Sequence, residues 1–300
     1  MTPVPSALVR AAPLLRLPAT PEPDPDGGGL RDPVTGRRLV LRDGVLDLLG
    51  GGFRPTLTQR TLDTRATAWL YDRLRERAMR VAGLPGFAEE AEAVARRLAL
   101  APGDVVLDVA CGHGNFTVEL ARRVGPQGLV VGLDISAAML ARAAARVRRA
   151  GLAHVLLVRG DALALPFADG AFARVNCSGG LHQMPDLSRA LAEMARVTAP
   201  GGRFAASGFA QAEGAEPHGW RALLARRAAL HFVPQGRLAE ALAAAGFTDV
   251  ETTMARSWFG YAAAQRAGAR SATADERAAA EPTAIGRQRS DRTGGAACAR

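Results

Sequence analysis

Acidic residues and a glycine-rich turn stand where they could hold one ligand together. Asp108 lies late in the apolar run VVLDVA, and the turn ACGHG, residues 110–114, follows it. Glycines let a ligand approach the backbone, and the start of the next helix offers unpaired N–H groups to an anion such as a carboxylate. Asp134 ends the run VVGLD, where its carboxylate could accept both hydroxyls of a ribose. These residues predict a nucleoside-type ligand.

Residues after two of the strands could bind an adenine as a further part of this ligand. Ile135 could pack on the face of the base, and Asp161, in the stretch VRGDALAL, could accept from its amino group beside the Ala162 N–H. A dinucleotide fingerprint needs a third glycine for close packing of helix on strand, and Thr117 occupies that position. A nicotinamide cofactor is therefore disfavoured.

The strands and helices around these residues must bring them together at one edge of a sheet. From Gly103 onward, short apolar runs alternate with helical segments, predicted at about 115–123, 136–150 and 186–197. This alternation is typical of βαβ units in a parallel sheet, whose ligands bind at the carboxyl ends of the strands. A further helix ends at Gly246, and a strand pair follows it.

Four stretches in order carry a family resemblance: VLDVACGHGNFT, GLDISAAML, GDALALPFADGAFARV and LAEMARVTAPGGRF. They resemble the successive motifs of the class I S-adenosylmethionine-dependent methyltransferases, type 11 subgroup, over about residues 103–209. The resemblance implies an α/β, Rossmann-like sheet of seven strands with helices on both faces and an antiparallel hairpin at one edge. It also implies S-adenosyl-L-methionine as the cofactor.

The family's binding residues carry over position by position. The methionine moiety is expected beside the turn, the ribose on Asp134 and the adenine on the two following loops. The expected cofactor-binding residues are Asp108, Ala110, Gly112, Gly114, Asp134, Ile135, Asp161, Ala162, Cys177 and Tyr71. His113 departs from the family, which more often has a small residue there. Tyr71 stands at helical spacing, so the alternative to cofactor binding is that it is a core residue. Cys177 is expected to be a small buried packing residue near the adenine.

The region before the motifs divides into smaller parts. An amphipathic helix is predicted from Thr58 to Ala82 and a second one from about Phe87 to Leu98. Upstream, Asp43-Gly44 is a hairpin signal. The hairpin stretch resembles the zinc ribbon of related bacterial and plastid methyltransferases but lacks every metal cysteine, so no zinc is expected. The predicted parts are a flexible arm 1–29, a β-ornament 30–55, a helical cap 56–99, the methyltransferase domain 100–267 and a disordered tail 268–300.

Histidines supply the candidates for acceptor chemistry. His182 follows the flexible Gly-Gly of NCSGGLHQMPD, and it could deprotonate or orient an acceptor, or simply be a loop histidine bonded to backbone. His218 and His231 lie in a segment that is expected to cover the substrate, whereas His154 is expected to be structural. The stretch 176–178, NCS, has no acidic cluster, so metal-independent transfer is expected.

Composition limits the partners. The net charge is +9 and all 38 basic residues are arginine, a pattern of compositional bias, while only 5% of residues are aromatic, so stable nucleic-acid binding is not expected. The three cysteines are far apart, and no run is long enough to span a bilayer, so a cytoplasmic protein is expected. The oligomeric state is left open.

The sequence thus predicts methyl transfer to the carbon or oxygen of a small aromatic, quinol or polyketide-like acceptor. Methylation of RNA bases is the first alternative, because of the charge and the ribbon-like hairpin. A protein that holds the cofactor without turnover is the second, and a nicotinamide oxidoreductase is the last.

Overall fold

The computed structural model describes residues 4–25, 29–49, 86–212, 232–256 and 258–268. Their strands are β1 Glu22–Pro23, β2 Gly29–Arg31, β3 Arg38–Arg42, β4 Val45–Asp47, β5 Val105–Val109, β6 Leu129–Asp134, β7 Val155–Arg159, β8 Phe172–Ser178, β9 Thr198–Gln211, β10 Val233–Pro234, β11 Phe247–Arg256 and β12 Phe259–Arg266. Their α-helices are α1 Ser6–Ala11, α2 Phe87–Arg97, α3 Asn115–Val124, α4 Ala137–Arg149, α5 Leu187–Val197 and α6 Gln235–Ala244.

The central part of the sheet has the predicted arrangement. Seven strands follow the order β7-β6-β5-β8-β9-β12-β11, in which β5 to β9 are parallel and β12 runs antiparallel to both β9 and β11. The apolar runs form central strands because both faces of the sheet are covered, and five of the six residues of β6 are buried. The predicted α/β fold with an edge hairpin is confirmed.

Helices cover both faces of this sheet. One core cluster joins α2 and α3 to Val106, Val130 and Ala205. The other large cluster joins α1, α5 and α6 to the alternate residues of the same strands, whose side chains point to the opposite face. Leu107 and Phe204 are among them. Because side chains alternate between faces along a strand, Asp108 belongs to the α2–α3 face.

Local capping explains where two of the helices begin. The Ser136 hydroxyl accepts from the N–H of Met139 at 3.1 Å, and the Asp186 carboxylate accepts from the N–H of Arg189 at 2.9 Å. Such caps satisfy N–H groups that the first turn leaves without intrahelical partners. The predicted helices 136–150 and 186–197 therefore match α4 and α5 to within one residue at each end.

The β-ornament is continuous with the main sheet. Asp43 and Gly44 both have positive φ, 52° and 85°, and turn β3 into β4 as their sequence predicts. β4 then pairs in parallel with β7, with Val45 opposite Leu157. The sheet therefore extends through β4, β3, β2 and β1, and residues 30–49 are not a separate ornament.

The N-terminal residues differ from the expected flexible arm. α1 lies against β6 and β7, and Leu8 and Ala11 are completely buried in the larger core cluster. Arg10 donates to the carbonyl oxygens of Pro126 and Gln127 at 3.2 and 2.6 Å. The prediction of a mobile arm is wrong for residues 4–25, because these apolar side chains and Arg10 find partners far along the chain.

Several predictions lie outside the described residues. These are the helix 58–82 with Tyr71, the histidines at 218 and 231, and the tail from 269. The second upstream helix is described, and α2 ends at Arg97, with Leu98 as its C-cap, as the sequence predicts.

Candidate active site

The turn after β5 is shaped by its glycines. Ala110, Gly112 and Gly114 all have positive φ, at 55°, 55° and 80°. A Cβ on Gly114 would lie 2.9 Å from the Cβ of Ala143, so glycine is needed there for α3 to approach α4. A Cβ on Gly112 would meet no atom within 4 Å. The turn is therefore packed on its helix side and open at Gly112, as a cradle for a ligand requires.

Asp108 lies beneath this turn in a closed polar network. Its carboxylate accepts from Thr117 Oγ1 at 2.6 Å and from Asn176 Nδ2 at 2.7 Å, and Ser178 Oγ donates to Asn176 Oδ1 at 2.8 Å. Burial raises the pKa of Asp108 to about 6, the two hydrogen bonds oppose this rise, and the charge of Asp134 adds to it. Asp108 thus ties the turn to β8 and contributes negative potential below it.

Asp134 connects the first two strand ends. Its two carboxylate oxygens accept from the N–H groups of Gly112 and Ser136, each at 2.8 Å. These two bonds fix the carboxylate at the end of β6, beside the turn. This geometry fits the predicted role, the binding of a ribose diol.

The residues predicted to contact the adenine follow β6 and β7. Asp161 Oδ1 accepts from the N–H of Leu163 at 2.9 Å, which folds the loop that carries Ala162. The carbonyl of Ile135, a half-buried residue, accepts from Arg159 Nε at 3.2 Å. Each residue thus lies in a loop whose shape is fixed by a hydrogen bond.

Arg196 holds the continuation of the Asp161 loop. It donates to the carbonyls of Phe167 and Leu165 at 2.7 and 2.9 Å, and it pairs with Glu193 at 2.8 Å. Glu193 in turn accepts from the N–H of Leu165 at 2.7 Å. The hydrogen bond that Arg196 donates to Glu193, and next the one to Asp169, raise the pKa of Arg196, which therefore stays charged.

Ala110 and Cys177 come together at the loop after β8. A Cβ on Gly180 would lie 2.6 Å from Ala110 Cβ and 3.1 Å from Cys177 Sγ. Cys177 is completely buried, and burial raises the pKa of its thiol, so it is a small packing residue rather than a thiolate. The loop after β8 is thus fitted closely against the turn after β5.

His113 is buried in the turn, and Arg146 of α4 donates to its carbonyl oxygen. The contact anchors the backbone of the turn to α4. His154 is also buried, and its Nε2 lies 2.9 Å from the carbonyl oxygen of Ala121, a contact that joins β7 to α3.

His182 lies in a pocket formed by the carboxyl ends of β8 and β9. It belongs to a 3₁₀ turn, Leu181–Gln183, is 6% exposed, and contacts Phe209 edge-on with 5.0 Å between ring centroids. The pocket is lined by Leu181, His182, Ala206, Ser207, Gly208, Phe209, Ala210, Val233, Gln235, Leu238, Gly260, Tyr261 and Ala262. Most of its walls are apolar.

Phe209, a lining residue of this pocket, also contacts two further aromatic rings. Phe209 stacks on Trp258 at 5.4 Å with an interplanar angle of 1°, and Phe232 meets both rings edge-on at 5.8 and 6.5 Å. Offset and edge-on contacts of this kind are favourable and stiff. They hold Phe209 within a cluster of three aromatic rings.

Sequence reasoning missed a second group at this pocket. Glu90 of α2 is completely buried, and Ser207 Oγ donates to its Oε1 at 2.7 Å. Burial, and next the charge of Glu90, raises the pKa of Tyr261 to about 12, and the Arg97 guanidinium lies 4.4 Å from the Tyr261 ring centroid. A glutamate in the helix FAEEAEAVARR gives no sign of this burial, which depends on packing against β9.

Known proteins carry these same motifs. A family model described as a methyltransferase domain matches residues 106–202. The chain is 37% identical over 183 residues to the demethylmenaquinone methyltransferase of Geobacillus stearothermophilus, and this alignment covers 53% of this chain and 76% of that protein. The chain belongs to the class I S-adenosylmethionine-dependent methyltransferases, type 11 subgroup. It is therefore an enzyme of methyl transfer, and S-adenosylmethionine is its cofactor.

Solved methyltransferases share the fold. Phosphoethanolamine N-methyltransferase 2 of Haemonchus contortus is 16% identical with a TM-score of 0.59, and the match covers 71% of this chain and 60% of that one. Geranyl diphosphate C-methyltransferase of Streptomyces coelicolor A3(2) is 20% identical with a TM-score of 0.54, over 60% of this chain and 79% of that one.

The residues fit this cofactor. The open position at Gly112, the Asp134 carboxylate beside it and the negative potential of Asp108 suit a ligand with a diol and a positive charge. When bound, the cofactor supplies an electrophilic methyl group on a sulfonium.

Within the described part of the chain, no group of His, Cys, Asp or Glu side chains is arranged to hold a metal. None of the helices described is long and apolar enough to cross a membrane.

Proposed function

We propose that this methyltransferase methylates a ring carbon of a 1,4-hydroquinone, without a metal ion. The observation that carries the proposal is the position of His182. It is a polar, buried residue in an apolar, aromatic-walled pocket at the ends of β8 and β9. β8 also supplies Asn176, which contacts Asp108, so the pocket adjoins the residues proposed for the cofactor.

The pocket walls match the needs of the reaction. Methyl transfer is an in-line displacement that depends on alignment of the acceptor and on exclusion of water. Phe209, which lines the pocket and is held in place by the ring of Trp258, provides an apolar aromatic surface for a fused ring. His182 is proposed to bind one hydroxyl of that ring and so fix which carbon faces the methyl group.

The named relatives favour this acceptor class. The protein of Geobacillus stearothermophilus and that of Geobacillus kaustophilus, 36% identical to this chain, are both demethylmenaquinone methyltransferases. Demethylmenaquinol is a 1,4-naphthohydroquinone with a prenyl tail, and its free ring carbon lies between an oxygen-bearing carbon and the prenylated carbon. That carbon is electron-rich, as attack on a methyl sulfonium requires.

The test is methyl transfer from labelled cofactor to 2-prenyl-1,4-naphthohydroquinone under reducing conditions, followed by mass spectrometry. We expect one added methyl group on carbon. His182→Asn should lower turnover while S-adenosylhomocysteine binding, measured by calorimetry, is retained. Ser188→Ala, at an exposed position of α5, which follows this turn, is the matched control and should stay active.

The alternatives give different results. A ribosomal RNA acceptor, suggested by the charge of +9, predicts incorporation into RNA and none into the hydroquinone. A non-catalytic cofactor-binding protein predicts affinity without incorporation into any acceptor. A cytoplasmic location and the absence of stable nucleic-acid binding are part of the same proposal.

A further inference from the structure

Glu90 lies beneath the wall of the acceptor pocket. It is 0% exposed, whereas its helix neighbours Glu89 and Glu92 are exposed. A carboxylate is rarely buried to this degree unless other groups bond to it. Here Ser207, a residue of the pocket wall, donates to Glu90 Oε1 at 2.7 Å. The buried carboxylate is therefore one hydrogen bond away from the acceptor pocket.

The neighbouring strands place this pair between the cofactor residues and the pocket. Ser207 is the partner of Ser178 on β8 and of Tyr261 on β12. Ser178 begins the hydrogen-bonded chain through Asn176 to Asp108. Tyr261 lines the pocket, and the charge of Glu90 helps to raise the pKa of its hydroxyl. Ser207 thus lies one strand from the polar network of the cofactor site.

The hydrogen bond also fixes the direction of the Ser207 hydroxyl. Because its proton points to Glu90, the lone pairs of Oγ remain to accept from another hydroxyl. Carbon methylation of a hydroquinone needs a hydroxyl to lose its proton, since the oxyanion raises electron density at the adjacent ring carbon. Ser207 is therefore polarised to receive this proton.

We propose that Ser207 is a catalytic residue and that Glu90 is its positioning residue. The hydroxyl proton of the acceptor passes to Ser207 Oγ as the former proton of Ser207 passes to Glu90 Oε1. This inference rests on the proposed function, because it requires an acceptor with an ionisable hydroxyl.

The transfer balances without another reagent. The O–H bond of the acceptor breaks and its electron pair stays on the acceptor oxygen, while one O–H bond forms on Ser207 and one on Glu90 as the old Ser207 O–H bond breaks. Nothing is oxidised or reduced. After the carbon–methyl bond has formed, the ring hydrogen leaves to water and the proton of Glu90 returns through Ser207 to the oxygen.

Glu90→Gln tests the proton transfer, because glutamine can still accept from Ser207 but is a far weaker base. On 2-prenyl-1,4-naphthohydroquinone we expect kcat to fall about 100-fold, the typical contribution of general base catalysis, with little change in KM. A ring-chlorinated analogue has a more acidic hydroxyl, so the loss should shrink on it. Glu92→Gln, on an exposed face of the same helix, should resemble the wild type on both acceptors.

A measurement without turnover gives a second readout. 1-Naphthol is neutral in neutral buffer, and its ionised form absorbs at longer wavelength. With S-adenosylhomocysteine present, wild-type protein should bind part of the 1-naphthol as naphtholate. Ser207→Ala should bind 1-naphthol in its neutral form. Because this substitution is small, it also provides a test if the Glu90→Gln variant does not fold.

The outcomes separate the two proposals. If the wild type methylates the hydroquinone and Glu90→Gln is equally fast, or equally impaired on both acceptors, the role of Glu90 is structural and the inference is wrong. The inference is also wrong if the chlorinated acceptor rescues His182→Asn instead. If the wild type methylates no hydroquinone, the proposed function fails and the inference fails with it.

Discussion

Asp134 accepts a hydrogen bond from the backbone N–H of Gly112 at 2.8 Å, so the end of β6 closes the turn that follows β5. The N–H of Cys111 donates to the carbonyl of Leu133 at 3.0 Å and strengthens the same junction. The residue proposed for the ribose and the turn proposed for the methionine moiety are therefore one structural unit. Damage to either is expected to weaken the whole cofactor site.

The first prediction concerns Asp134→Ala. Loss of the carboxylate removes the proposed ribose contacts and releases the N–H of Gly112, so S-adenosylhomocysteine should bind about 1.5 to 3 kcal/mol more weakly. Isothermal titration calorimetry measures the difference. Asp249→Asn, which changes an exposed carboxylate in β11, is the control. Unchanged affinity in Asp134→Ala would remove this residue from the site.

Asp108 should make stability depend on pH. Its pKa is about 6 in the folded protein and near 3.8 ordinarily, so between these values the folded state binds more protons than the unfolded state. Stability from this group is therefore highest below pH 4 and falls as the pH rises through 6. Asp108→Asn lacks this fall, so the difference in unfolding free energy, variant minus wild type, should rise by about 2 kcal/mol from pH 4 to 7. Urea titrations across this range measure it, and a flat difference would refute the buried ionisation.

The close fit of Gly180 against Ala110 predicts a steric cost. In Gly180→Ala the new methyl group would meet Ala110 Cβ at 2.6 Å, so we expect a loss of about 1 to 3 kcal/mol in stability together with weaker cofactor binding. Combining it with Ala110→Gly removes the nearer atom. The double variant should recover part of the loss relative to the sum of the single variants, and simple additivity would show that the two loops do not touch.

Arg196 should support the adenine loop from a distance. Arg196→Ala leaves the carbonyls of Leu165 and Phe167 without their donor, so stability should fall by about 2 kcal/mol and S-adenosylhomocysteine affinity should fall with it. Arg189→Ala removes an exposed arginine that donates to the nearby Leu163 carbonyl at 2.9 Å. Thermal unfolding with and without ligand compares the two, and equal effects would argue against a special role for Arg196.

The sheet, and the strand-end positions of the residues proposed to bind the cofactor, were predictable because their signals are local. Asp108, Asp134 and Asp161 each follow an apolar run and precede a turn, so their place at the strand ends follows from the α/β pattern. A histidine at position 182, directly after the Gly-Gly and a leucine, likewise indicated a residue that could act on the methyl acceptor. The geometry now places His182 in a pocket, and its role in the reaction remains a proposal.

The missed features depend on contacts between distant parts of the chain. Leu8 looks like part of a proline-rich arm until β6 and β7 provide the surface that buries it. Glu90 looks like a solvated helix residue until Ser207, 117 positions away, bonds to it. No periodicity within either segment encodes such a partner, so burial of these residues could not be read from the sequence.

The most direct test of the account is the product formed from 2-prenyl-1,4-naphthohydroquinone and methyl-labelled S-adenosylmethionine. The account predicts a product heavier by one labelled methyl group, placed on the free ring carbon beside the prenyl group. Label on an oxygen, or no label in the hydroquinone while S-adenosylhomocysteine binds normally, would contradict it.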